Sequence, residues 1–87
     1  MDKKEIYNLL SQIIDEKSIY IDEPMNRHTS FKVGGPADIL VRPRTEEEIS
    51  NIFKLVNKLE TPFLVKGNGS NILIKDGGFR GLVIEIS

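Results

Sequence analysis

The sequence predicts an α+β domain with a βαβ core, two helices and about five short strands. Three observations carry that expectation. Two segments place apolar residues at helical spacing behind a capping signal. Short runs of branched apolar residues, bounded by Gly, Pro or Asp, have the make-up of strands. A strand, a helix and a second strand also fall within about 30 residues, the span of a βαβ unit.

The first helix opens at Asp2, with Glu5 in the capping-box position. Ile6, Leu9, Leu10, Ile13 and Ile14 form its apolar stripe, and Asp15, Glu16 and Lys17 end it. A short apolar alternation follows at Ile19, Tyr20 and Ile21, closed by Pro24. Residues 1–24 are thus a helix and lead-in, and residues 25–87 make up the main unit. Residues 25–36, MNRHTSFKVGGP, read as a shaped loop because polar residues, a Gly pair and a Pro interrupt any period. Ala37 to Val41 is a strand stopped by Pro43.

The next helix is the clearest element. Thr45 is its N-cap, and Glu48 completes a T-x-x-E capping box. Glu46 and Glu47 place negative charge where the helix dipole favours it, so this acidic run reads as capping and not as a metal site. Ile49, Ile52, Phe53, Val56 and Leu59 give one inward face. Thr61 and Pro62 break the pattern, and Phe63, Leu64 and Val65 read as a buried strand. Strands 37–41 and 63–65 should run parallel, joined by a right-handed crossover. Ile72 to Ile74 and Leu82 to Ile86 are further strands around an Asp76-Gly77-Gly78 turn. An apolar strand at the end of the sequence points to a longer polypeptide. Leu82 to Ile86 is expected to be an exposed apolar edge that promotes self-association.

Composition narrows the function. The 87 residues carry 12 Lys+Arg against 13 Asp+Glu, a net charge of −1, with 39% hydrophobic and 29% charged residues. That is the balance of a globular protein, and it supplies no surplus of basic charge for a dedicated nucleic-acid binder. There is no Cys, hence no disulfide, thiolate site or Cys nucleophile, and a single His excludes a multi-His metal site from this chain alone. No apolar run is long enough for a membrane span, and the N-terminus lacks a signal-peptide pattern, so a cytoplasmic location is expected. Without a secretory signal, the glycosylation pattern at Asn68-Gly69-Ser70 has no meaning.

The most informative stretch is Val65-Lys66-Gly67-Asn68-Gly69-Ser70-Asn71, directly after a strand. Glycines there let the backbone turn and let another group approach closely. Successive amides in such a turn can form an anion nest, with Ser70 and Asn71 adding side-chain donors. A phosphate or diphosphate suits it. The dinucleotide fingerprint G-x-G-x-x-G fails, because Ile72 stands at the third glycine position and a strand follows. A P-loop is excluded by the lack of G-K-[ST]. The plain alternative is a tight turn between two strands. A further alternative is a small α/β module that clamps a nucleic-acid phosphate, although G-x-G between strands is not the G-x-x-G of a KH domain. His28 reads as a packing or hydrogen-bonding residue before a catalytic base. Gly34-Gly35-Pro36 reads as a backbone turn, and Arg80 as an exposed loop arginine that could meet a phosphate.

Three segments carry a resemblance: HTSFKVGGPAD (28–38), VKGNGSNILI (65–74) and KDGGFRGLVIEI (75–86). In this order, with a helix between the first and second, they resemble the N-terminal part of the UDP-N-acetylenolpyruvoylglucosamine reductases, flavoenzymes of peptidoglycan precursor synthesis. The resemblance covers essentially the whole chain. It implies the first of two subdomains of a vanillyl-alcohol-oxidase-type FAD-binding domain. Gly67, Asn68, Gly69, Ser70 and Asn71 would wrap the FAD diphosphate, flanked by Lys66 and Ile72. Lys66 departs from the apolar residue usual there, so only its backbone would keep the family's contact. The resemblance further implies NADPH as hydride donor and a UDP-sugar enolpyruvate as substrate. The family's proton-donating Ser, with its assisting Glu and Arg, would lie beyond residue 87. No catalytic residue is therefore expected in this chain, Ser87 is not the donor, and the chain alone should be inactive.

Overall fold

A computed structural model of the chain describes residues 2–24, 36–67 and 79–86. The elements run α1 (Lys3–Leu10), a 3₁₀ turn (Glu16–Ser18), β1 (Ile19–Pro24), β2 (Pro36–Val41), α2 (Glu46–Leu59), β3 (Phe63–Gly67) and β4 (Phe79–Ile86). The mixed α and β content agrees with the expected class. Four strands are found among the described residues, and the expected strand at Ile72 to Ile74 lies outside them.

Both helices begin as their sequences require. The Asp2 carboxylate accepts from the Glu5 N–H at 3.2 Å. The Thr45 hydroxyl accepts from the Glu48 N–H at 3.1 Å. The Glu48 carboxylate accepts from the Arg44 N–H at 2.8 Å, one residue outside the return bond of a capping box. At its other end α2 closes on Glu60 in the left-handed region (φ 55°), and the Thr61 N–H reaches back to the Val56 carbonyl at 3.3 Å.

The first helix is shorter than its apolar stripe. It ends at Leu10, and Ile13 and Ile14 lie in the turn beyond. Ser11 is the reason: its hydroxyl donates to the Asn8 carbonyl at 2.8 Å, satisfying the helix end locally. Ile14 is nevertheless buried, because its N–H bonds the Leu10 carbonyl and keeps the chain against the core.

The strands form one sheet in the order β1-β2-β4-β3. β1 is antiparallel to β2, while β2 and β3 are each parallel to β4. The strands flanking α2 run parallel as expected, with β4 between them. Two other expectations are corrected. Leu82 to Ile86 is not an open edge: Leu82, Val83 and Ile84 are fully buried in a strand paired on both sides. The basis for self-association through that strand is therefore removed. Finally, Phe63 to Val65 is not a buried strand. Among the described residues β3 is the edge strand of the sheet, and Phe63 and Val65 are 41% and 42% exposed. An apolar run cannot reveal its place in the sheet, and the more continuous run, LVIEI, takes the centre.

One sheet face packs on both helices. Ile6 and Leu10 of α1, with Ile14 just beyond it, and Ile52 and Val56 of α2 meet Ile19, Ile39, Val41, Leu82 and Ile84 in a single core. Residues 1–24 thus share their core with the rest of the chain. Phe53 of α2 meets Phe63 edge-on, with ring centroids 5.7 Å apart, so the helix extends over the edge strand. Ala37, Leu40 and Val83 form a smaller buried cluster. No helix among the described residues is long and apolar enough to cross a membrane.

Candidate functional site

The three parallel strands β2, β4 and β3 present their carboxyl ends together. In open sheets with parallel strands, ligands gather outside that edge. β3 delivers Gly67 there, still paired with Ile86 of β4. Of the predicted cofactor residues, Lys66 and Gly67 fall within β3, whereas Asn68, Gly69, Ser70, Asn71 and Ile72 lie outside the described residues. His28, Gly34, Gly35, the Asp76-Gly77-Gly78 turn and Ser87 lie outside them as well.

Strand alternation sends Lys66 to the same face as its register partner Glu85. The pair is buried, at 3% and 2% exposure. The Lys66 Nζ donates to Glu85 Oε2 at 2.8 Å and to the Gly67 carbonyl at 2.8 Å. The other Glu85 oxygen meets the Nε of half-exposed Arg42 at 2.9 Å. One carboxylate therefore joins the carboxyl ends of β2, β4 and β3. Charges this deep persist only when paired and hydrogen-bonded, and each of these has such partners. Sequence reasoning singled out Lys66 but missed Glu85 and Arg42. The signal was a charged residue in an otherwise apolar strand, LVIEI, and its partner becomes visible only with the register.

At the same end, where β1 begins and β2 finishes, Lys17, Ser18, Tyr20, Arg42, Pro43 and Arg44 line a cleft of about 350 Å³. Its charged lining is wholly cationic. Among the described residues Lys17 and Arg44 form no ion pair, while Arg42 is tied to Glu85. The sequence reading did not find this cleft, because Lys17 and Arg42 come together only through β1–β2 pairing. Arg80 is 85% exposed along its side chain and stands 3.9 Å from Asp38, so it is an exposed arginine beside a carboxylate. No group of three His, Cys, Asp or Glu placed to hold a metal ion is found among the described residues.

Comparisons with known proteins bear on what this edge serves. A family model described as an FAD binding domain matches residues 37–87. The chain is 59% identical over 87 residues, its whole length, to the UDP-N-acetylenolpyruvoylglucosamine reductase of Clostridioides difficile (strain 630), covering 29% of that protein. It is 48% identical over 87 residues to the enzyme of that name from Alkaliphilus metalliredigens (strain QYMF), again covering 29%. A third, from Clostridium perfringens (strain SM101 / Type A), is 49% identical over 83 residues, which is 95% of this chain and 27% of the relative. The chain thus spans less than a third of the length of these relatives. Because the family model takes in β2, α2, β3 and β4 and more than half of the residues, the chain belongs to the FAD binding domain family.

Proposed function

We propose that this chain is the FAD-binding portion of an NADPH-dependent reductase. The reductase would convert UDP-N-acetylglucosamine enolpyruvate to UDP-N-acetylmuramate in peptidoglycan precursor synthesis. Residues 25–87 form the first of two FAD subdomains, of the vanillyl-alcohol-oxidase type, with residues 1–24 as a lead-in. Cytoplasmic location is part of the same reading.

One observation carries it: the FAD family match contains the glycine run, and the first glycine of that run, Gly67, lies at the carboxyl edge of three parallel strands. Lys66, Gly67, Asn68, Gly69, Ser70, Asn71 and Ile72 are the residues that would hold the cofactor. The residues described at this edge fit a diphosphate. A buried ammonium lies beside the first glycine carbonyl, and the buried Glu85 carboxylate is paired with two cations, Lys66 and Arg42. The family match also favours a flavin dinucleotide over a nucleic-acid backbone as the anion. The chemistry supplied by bound FAD is hydride transfer from NADPH to the enolpyruvyl group. This chain's share is binding and orientation, and the proton donor belongs to a later part of the polypeptide.

The reading is tested in the full-length protein by titrating FAD into apoprotein. Ser70→Ala removes a hydrogen bond to a charged group, worth about 1.5–3 kcal/mol, so the Kd for FAD should rise tenfold or more. An unchanged Kd would contradict the loop assignment. A second expectation concerns the 87-residue chain by itself. NADPH oxidation with added FAD and enolpyruvyl substrate should stay at background, and turnover would show that the proton donor lies within it.

A further inference from the structure

We propose that Lys66 and Glu85 are positioning residues for the cofactor loop. The Lys66 ammonium, braced by Glu85, fixes the carbonyl of Gly67 and so the plane of the peptide that leads out of β3. The inference rests on the reading that residues 67–71 bind the FAD diphosphate.

Buried ion pairs are often replaced by apolar residues without loss of stability. A methionine or leucine would fill the Lys66 position in a strand otherwise built from Phe63, Leu64 and Val65. Stability therefore gives no reason for an ammonium at this place. What an apolar residue lacks is a donor. Lys66 Nζ lies 2.8 Å from the Gly67 carbonyl, and Glu85 Oε2, also at 2.8 Å, holds it there. Arg42, at 2.9 Å from Oε1, fixes the carboxylate from the far side.

Gly67 gains from such a brace: it is the last described residue of β3, and it has no side chain to restrict its backbone beyond its pairing with Ile86. In a trans peptide the C=O and N–H lie on opposite sides, so the direction of one sets the direction of the other. A loop that binds through backbone amides gains affinity when those amides are aimed before the ligand arrives. A wholly buried lysine whose ammonium rests on the first glycine carbonyl provides that aim from inside the fold, without touching the ligand.

The test uses the full-length protein and separates affinity from stability. Three variants are compared with wild type by FAD titration of apoprotein and by urea unfolding. Lys66→Met/Glu85→Leu removes the brace by replacing both members of the buried Lys66–Glu85 ion pair with apolar residues. It should unfold near the wild-type midpoint yet bind FAD about tenfold more weakly. Glu85→Gln keeps an acceptor for Lys66. It should lower the unfolding midpoint while the folded protein binds FAD within about twofold of wild type. Ser70→Ala reports on the loop itself. Wild-type affinity in the double variant, with Ser70→Ala weakened, would overturn the brace and spare the loop. Wild-type affinity in Ser70→Ala would overturn the loop assignment instead. Should the double variant not fold, Glu85→Gln decides: an affinity that falls in step with its stability would mark the pair as purely structural.

Discussion

Lys66 has its side chain wholly out of water and, among the described residues, two partners: the Glu85 carboxylate and the Gly67 carbonyl. The family resemblance marked this residue as a departure, since an apolar residue is usual at its position. It could not name Glu85, because the partner lies 19 positions away and is found only through strand register. Local bonds behave differently. Thr45 and Glu48 are three residues apart, and the predicted cap is present at 3.1 Å. Thr45→Ala should therefore lower stability by about 1 kcal/mol, read from urea unfolding. A change under a few tenths would mean that the cap does not hold the first turn of α2. The Glu48 carboxylate was the local detail misjudged. It turns to the N–H of Arg44 instead of the cap residue, a choice between two adjacent donors that the spacing does not resolve.

At the level of elements, the helices were legible because their signals are local: a cap, a 3.6-residue period and a stop. Strands were legible as segments but not as positions. Phe63-Leu64-Val65 and Leu82-Val83-Ile84 look alike in sequence, yet one is the sheet edge and the other its centre. Nothing within either run says which strand will lie beside it, since pairing is decided by which arrangement buries the most apolar surface. Val65 and Ile84 make the contrast measurable. They are register partners on one face, the first 42% exposed and the second fully buried. Ile84→Ala should cost about 2–5 kcal/mol by opening a cavity in the core. Val65→Thr should stay within about 0.5 kcal/mol, as exposed substitutions do. Equal losses at the two positions would place β3 inside the sheet and contradict the strand order.

The whole molecule has a Cα radius of gyration of 12.0 Å, the value of about 12 Å expected for a compact chain of this length. It packs a core of its own although it spans less than a third of its relatives. Membership of an FAD-binding family was legible through short segments in order, and the family match over residues 37–87 agrees with it. The cationic cleft and the Arg42–Glu85–Lys66 bridge were not legible, because both are made by tertiary pairing at one end of the sheet. That same end carries Gly67, the first glycine of the run, so cofactor binding should be decided there. A crystal structure of the full-length protein with FAD bound addresses this directly. The diphosphate oxygens should accept hydrogen bonds from backbone amides of residues 67–71, with the Lys66 ammonium still on the Gly67 carbonyl. A diphosphate held elsewhere, with no donor from this stretch, would contradict the proposed role of the loop.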